Sequence, residues 1–216
     1  MQELDDSPEV VRTLLRRTLV YRFERLVNAI DPELAEHGRR TGRLACDIAE
    51  RMHLDSEDIA DLDQAAFLHD IGKLFIPRTI LDKPGPLDAN EWAELRHHPR
   101  MGYQLVTGEV SEKVARIVLT HHERFDGTGY PQGLSGTQVP IEARILQVAD
   151  AFDAITSDRP YQPALPVAYA LNEMRRCSGS QFDPDVVDAI MALAGRAKWV
   201  LARFGQFEER LAEVAV

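Results

Sequence analysis

The stretch HHERFDGTGYP (residues 121–131) joins two parts of the chain with different patterns. Before it, apolar residues recur every three or four positions from Val114 to His122, which predicts an amphipathic helix. Residues 125–140 then hold four glycines and two prolines, which predict a loop, and helical spacing returns from Ile141 to Ile155. Loops between helices often carry function, so paired histidines at such a junction are candidate site residues.

The same helical spacing covers most of the chain. It recurs in the segment that ends at Ile30 and again at Leu34–Met52, Ile59–Ile71, Val167–Arg176 and Val186–Ala194. Asp31-Pro32 and Asp183-Pro184 predict a capping residue followed by the first helical residue, and Asp88 with Glu91 predicts a capping box. Because no alternating run of β-branched residues stands out, we predict an all-α fold of roughly nine helices.

Length and charge restrict the class of protein. The chain has 216 residues, enough for one domain with its own core, and a formal net charge of −10 at pH 7. An acidic balance argues against broad, non-specific binding to DNA or RNA. The apolar runs are too short for a membrane span, and the first residues lack a signal-peptide pattern, so we expect a soluble cytoplasmic protein.

Several of the seven histidines lie beside other potential metal ligands. Glu33 and His37 are four residues apart, so both side chains project from one face of a helix and can reach a common ion. His69 and Asp70 end a helical run, and the two carboxylate oxygens make Asp70 a natural bridge between two ions. Ligation of metal is the economical explanation of this clustering.

Two further pairs of histidines belong to the same pattern. His121 and His122 can each bind a different one of two ions, as can the neighbouring ligands His69 and Asp70. His98 follows His97, for which an ordinary surface or core role is the simpler interpretation, as it is for His53.

The motifs resemble those of a known family. HDIGK (residues 69–73) resembles the HD signature, and HHERFDGTGYP resembles the GYP signature, of the HD-GYP phosphodiesterases. The likeness extends over about residues 33–190 and includes Ile76-Pro77, Lys83-Pro84-Gly85, His98-Pro99, Ala143-Arg144-Ile145, the segment from Asp150 to Ala154, Arg159-Pro160-Tyr161 and Phe182-Asp183-Pro184. The resemblance predicts an HD-GYP catalytic domain (31–195) with a helical HD bundle. The residue pattern outside it predicts an N-terminal amphipathic helix (residues 1–30) and a C-terminal helical tail (196–216).

The resemblance implies a metal-dependent hydrolase of cyclic di-GMP that forms pGpG and can continue to GMP. Two or three divalent ions, iron by preference and manganese as an alternative, would activate a bridging hydroxide. The ligands that it implies are His37, His69, Asp70, His98, His121, His122 and Asp150. Glu33 falls where the trinuclear members of the family carry an additional glutamate ligand, which favours three ions. A role for Glu33 at the positive end of its helix is the alternative.

The same resemblance implies which residues contact the substrate and which loop residues lie near the site. Lys73 and Arg159 are expected to contact phosphate, although Lys73 could instead be a solvated lysine at a helix end. Gln162 replaces the basic residue usual in the family, which predicts weaker substrate binding. Asp153 would orient a ligand histidine or merely cap its helix. The loop residues Asp126, Gly129, Tyr130 and Pro131 are expected near the site rim, where the family's loop contacts GGDEF domains.

Other functions stay open at this point. The chain could act on another nucleotide, such as cyclic GMP-AMP, or bind cyclic di-GMP as an adaptor without turnover. The amphipathic terminal segments could pack on the domain itself or form a homodimer.

Overall fold

The computed structural model describes residues 23–158 and 163–195, whose regular secondary structure is helical. Residues 23–30 belong to a first helix, α1, and nine further helices lie wholly within the described ranges. These are α2 (Pro32–Arg51), α3 (Ser56–Leu68), α4 (Arg78–Leu81), α5 (Ala89–Leu95), α6 (His98–Val106), α7 (Glu112–Thr120), α8 (Ile141–Thr156), α9 (Val167–Arg176) and α10 (Pro184–Ala194). The described ranges contain no β-strand, only two isolated bridges, so the predicted all-α fold is confirmed.

The helix starts follow the predicted capping chemistry. The Asp31 carboxylate accepts a hydrogen bond from the Leu34 amide, and Asp183 caps α10 in the same way through the Asp185 amide. Asp88 and Glu91 form the predicted capping box of α5. These side chains satisfy amide groups that the first helical turn leaves without partners.

One predicted helix ends earlier than its apolar spacing indicated. The spacing from Ile59 to Ile71 predicted a continuous helix, but α3 ends at Leu68 and a 3₁₀ helix follows at Ile71–Phe75. Asp70 lies between them with φ −98° and ψ 5°, outside the α-helical region. The backbone therefore turns at His69 and Asp70, which places both side chains at a helix end.

The core lies where α2 packs against α3 and α8, and where α3 packs against α7. Fully buried residues from these four helices fill it, including Ile48, Leu62, Ile117 and Phe152. Val27 of α1 is buried in the same core, so the end of the predicted N-terminal helix packs on the domain. No helix in the described ranges is both long enough and apolar enough to cross a membrane. The predictions for residues 1–22 and for the tail from residue 196 lie outside the described residues.

Candidate metal centre

Five helices bring the candidate ligands together. His37 lies on α2, His69 caps the C-terminal end of α3 with Asp70 beside it, and Asp150 lies on α8. His98 begins α6, and His121 with His122 follows α7. Most of these side chains sit at helix ends, where the backbone changes direction and neighbouring side chains can face one centre.

Gly72 allows two of these segments to approach closely. A Cβ atom at Gly72 would lie 2.0 Å from the His98 carbonyl oxygen and 2.7 Å from the Gly102 amide nitrogen. The 3₁₀ helix after Asp70 therefore packs directly against the start of α6. This contact sets the distance between Asp70 and His98.

The ligand atoms form two groups that share Asp70. One group holds Asp70 with His98, His121 and His122, and the other holds Asp70 with His37 and His69. The Asp70 carboxylate lies 3.2 Å from His98 Nε2 through Oδ1 and 3.4 Å from His69 Nε2 through Oδ2. Asp70 thus occupies the bridging position that the sequence suggested, whereas His121 and His122 lie together in one group and do not divide between the two.

Asp150 completes the surroundings of His37. Its Oδ1 atom lies 3.1 Å from His37 Nε2 and 3.9 Å from His69 Nε2. Asp150 therefore faces the same group as these two histidines.

The hydrogen bonds of three histidines fix which ring nitrogen faces the centre. Nδ1 of His69, His98 and His121 each lies 2.7 Å from the backbone carbonyl oxygen three residues earlier. Because a carbonyl only accepts, each Nδ1 carries the hydrogen, and in the neutral ring Nε2 carries a lone pair. All three Nε2 atoms are directed at Asp70.

This arrangement fits divalent ions. His69 Nε2 and Asp70 Oδ1 are buried and have no hydrogen-bond partner among the described residues. Lone pairs of imidazole and carboxylate facing each other in a buried site repel unless a cation lies between them. The mixture of imidazole and carboxylate without thiolate is typical of iron or manganese sites and less so of structural zinc sites.

The ionisation of the site agrees with a cation-binding role. Burial alone would raise the pKa of the Asp70 carboxyl, but Lys73 and His69 hold it well below its usual range. Burial and the neighbouring His98 lower the pKa of His122 to about 3, so that ring is neutral and available as a ligand. Although burial opposes it, hydrogen bonding to Asp150 and Asp153 raises the pKa of His37 to about 9. The carboxylates around His37 therefore attract positive charge, whether a proton or a metal ion.

The remaining predicted site residues differ in how close they lie to this centre. Lys73 Nζ donates to Asp70 Oδ2 at 2.5 Å, so Lys73 is not simply solvated. Asp153 Oδ2 accepts from His37 Nδ1 at 2.7 Å, which is the contact expected of an orienting residue. Glu33 is exposed and lies outside both groups. Arg159 and Gln162 lie outside the described residues.

The GYP loop reaches the centre through one aromatic ring. Tyr130 stacks on His122 with 4.9 Å between ring centroids. A Cβ atom at Gly129 would lie within 2.6 Å of the Glu123 Cα and the His122 oxygen, so only glycine fits beside the histidine pair. The Pro131 carbonyl oxygen accepts a hydrogen bond from Arg100 of α6. Asp126 instead pairs with Arg124 within the loop.

Three residues near the site were not predicted. Glu123 is buried and accepts from the backbone amides of Gln132 and Leu134, which fastens the GYP loop. Arg96 places its guanidinium over the Tyr130 ring at 5.2 Å. Arg40 binds Asp153 through two nitrogens. The adjacency of Glu123 to the histidine pair was an available signal, but nothing in the spacing pointed to either arginine.

Comparison with known proteins agrees with the geometry. A family model described as "HD domain" matches residues 22–186. The cyclic di-GMP phosphodiesterase response regulator RpfG of Xanthomonas campestris is 39% identical over 201 residues, which cover 92% of this chain and 50% of the relative. The 3'3'-cGAMP-specific phosphodiesterase 3 of Vibrio cholerae is 38% identical over 173 residues, which cover 80% of this chain and 38% of the relative.

A solved structure shares the fold. The HDG"Y"P protein Bd1817 of Bdellovibrio bacteriovorus superposes with a TM-score of 0.64 at 22% identity, over 77% of this chain and 54% of that one. The chain spans half or less of the length of the curated relatives named above. With the family match and the helical fold in agreement, the chain belongs to the HD domain family.

Proposed function

We propose that this chain is a metal-dependent phosphodiesterase that hydrolyses cyclic di-GMP to pGpG and can continue to GMP. The observation that carries the proposal is the pair of ligand groups that share Asp70, with histidine Nε2 lone pairs and carboxylate oxygens facing one another. Such an arrangement of buried acceptors is poorly stable without cations and is suited to two of them.

The two groups would hold one ion each. His37, His69 and Asp150 would hold one ion, and His98, His121 and His122 the other, with Asp70 as a ligand of both. Because Glu33 is exposed outside both groups, we propose two ions, iron by preference or manganese. Bound divalent ions supply Lewis acidity and lower the pKa of an attacking water.

The protein's own residues then orient the substrate and stabilise charge. Asp70 holds the spacing of the two groups, and Lys73 beside it can donate to a phosphate oxygen or the leaving 3′-oxygen. We propose that Arg159 adds a second phosphate contact and that Gln162 contributes hydrogen bonds without charge. Tyr130 on His122 would close one side of the substrate site.

Cyclic GMP-AMP is the second candidate substrate, because a relative named for that specificity is 38% identical to this chain. Gln162 stands where the family usually has a basic residue, and this difference is compatible with an altered preference for the cyclic dinucleotide substrate. An adaptor that binds without turnover is a weaker candidate, because a pure binder does not need two groups of metal ligands.

The regulatory setting is part of the proposal. We propose a cytoplasmic enzyme with a GGDEF-domain protein as a partner at the GYP loop, and homodimerisation through the terminal segments outside residues 31–195. Co-purification with a GGDEF domain and light scattering test these two points separately.

The central experiment measures metal content and hydrolysis on the same sample. Protein purified without oxygen is loaded with iron or manganese, and cyclic di-GMP, cyclic GMP-AMP and cyclic di-AMP are assayed with identification of the products. We expect two ions per chain, pGpG from cyclic di-GMP, and loss of hydrolysis in the double variant His69→Ala, Asp70→Ala.

The control is His53→Asn, a histidine substitution outside both groups; asparagine tolerates the positive φ of 62° at that position. It should retain the metal content and the rate. Unchanged hydrolysis in the double variant would refute the site assignment, and binding of cyclic di-GMP without any hydrolysis would favour the adaptor.

A further inference from the structure

We propose that Arg40 is a positioning residue for the metal group that contains His37 and that it acts through Asp153. The inference rests on the proposed metal-binding function and concerns a residue that touches neither group directly. It follows from how His37 is oriented, because His37 differs in this respect from His69, His98 and His121.

His37 takes its orientation from a side chain. Nδ1 of His69, His98 and His121 is held by the backbone carbonyl three residues earlier, which lies in α3 for His69, at the end of α5 for His98 and in α7 for His121, so the backbone fixes those rings. Nδ1 of His37 instead lies 2.7 Å from Oδ2 of Asp153, a residue on α8. The direction of His37 Nε2 therefore depends on where the Asp153 carboxylate is held.

Arg40 holds that carboxylate. Its Nε donates to Asp153 Oδ1 at 2.8 Å and its Nη2 donates to Oδ2 at 3.1 Å, a bidentate pair that fixes both the position and the plane of the carboxylate. Ser157 Oγ is a second donor to Oδ1, at 3.0 Å. The Asp153 side chain is only 8% exposed, so an unpaired charge there would be costly.

Arg40 also joins two helices at the site. It lies one helical turn after His37 on α2, and through Asp153 it ties that turn to α8, which carries Asp150. Without Arg40, the Asp153 carboxylate can rotate, and His37 Nε2 loses its fixed direction toward Asp150, 3.1 Å away. The group around His37 and His69 should then bind its ion more weakly, while the group around His98 should be unaffected.

Titration of Mn²⁺ into metal-free protein, followed by calorimetry and by electron paramagnetic resonance, tests this inference. We expect wild-type protein to bind two ions and Arg40→Gln to bind one of them about 10–100-fold more weakly. Arg40→Lys should recover part of the affinity, because an ammonium keeps the charge but not the bidentate geometry. Loss of the spin-coupled signal of adjacent Mn²⁺ ions is a readout independent of catalysis.

The matched control is Arg39→Gln, which removes the same charge from the neighbouring position on α2. Arg39 pairs with Glu24 and Glu36, away from the centre, so both affinities should stay at the wild-type values. In an Asp153→Asn background, Arg40→Gln should add little further loss, because the route through the carboxylate is already broken.

The outcomes separate the two proposals. Unchanged or tighter Mn²⁺ binding in folded Arg40→Gln protein, or equal losses in Arg39→Gln, would overturn the role of Arg40 while leaving the proposed function intact. If Arg40→Gln fails to fold, Arg40→Lys and Asp153→Asn give the same comparison. Wild-type protein that binds no Mn²⁺ or iron would overturn the proposed function and this inference together.

Discussion

Replacing Gly72 with alanine should damage both the stability of the protein and one metal group. The new Cβ would lie 2.0 Å from the His98 carbonyl oxygen, against about 3.4 Å at the onset of ordinary contact, so the backbones must separate by roughly 1.4 Å. The neighbours within 3 Å are all backbone atoms, which cannot rotate away. Overpacking of this kind typically lowers the free energy of unfolding by about 1–3 kcal/mol, and we expect the upper end of that range.

The displacement also reaches the ligands. His98 Nε2 lies 3.2 Å from Asp70 Oδ1, and ligand sets tolerate movements of only about 0.5 Å. A shift of about 1 Å in such a site can cost 100-fold in rate, so we expect at least that loss of hydrolysis together with weaker binding of one Mn²⁺ ion.

Urea unfolding, Mn²⁺ titration and a hydrolysis assay measure these effects on one preparation. The matched control is Gly195→Ala, because Gly195 has φ −67° and its Cβ would lie 3.6 Å from the nearest heavy atom. That variant should stay within about 0.5 kcal/mol of the wild type. Equal stability and activity for Gly72→Ala and Gly195→Ala would show that the close approach of the 3₁₀ helix to α6 does not set the geometry of the centre.

Three other measurements test separate parts of the structure. Glu123→Ala removes the buried carboxylate that accepts from the amides of Gln132 and Leu134. We therefore expect the free energy of unfolding in urea to fall by about 1–3 kcal/mol and proteolysis within residues 125–140 to become faster. Hydrogen bonding from Arg124 lowers the pKa of Asp126 from 3.8 to about 2. The ionised Asp126 carboxylate therefore stabilises the folded protein above pH 3.8, and this stabilisation is lost as the pH falls toward 2. The melting temperatures of wild type and Asp126→Asn should accordingly converge between about pH 4 and 2. Mn²⁺ at 100 times its dissociation constant should raise the melting temperature of the wild type by about 5–10 °C for each ion bound, and no rise would contradict binding to the folded state.

The fold could be predicted from sequence because its signals are local. Asp31, Asp88 and Asp183 cap helices through amides two or three residues away, so short sequence patterns identify those starts. The end of α3 was harder to predict, since apolar spacing continues through Ile71 while the backbone turns at His69 and Asp70. Spacing reports which face is buried and does not report where the backbone leaves the α region.

The sequence predicted which residues form the site better than it predicted which of them lie in the same ligand group. Metal-binding residue types in a recognisable pattern pointed to His69, Asp70, His98, His121 and His122, which the structure brings together. Which of them share an ion depends on how α3, α6 and α7 pack. Adjacency in sequence suggested that His121 and His122 divide between two ions, whereas the structure places both in one candidate group. The role of Arg40 depends on a contact between residues 113 positions apart, which a single sequence does not reveal.

The two metal groups differ in what holds them, and this has consequences for how the centre tolerates change. His98 and His121 are oriented by backbone carbonyls three residues earlier, at the end of α5 and in α7, so any substitution that preserves this backbone preserves the rings. His37 depends on Asp153, and Asp153 on Arg40, so its orientation requires two further side chains from two helices. Sequence divergence in this fold should therefore change the group around His37 first. Asp70 should change least, because both groups contain it and it lies where the backbone turns after α3.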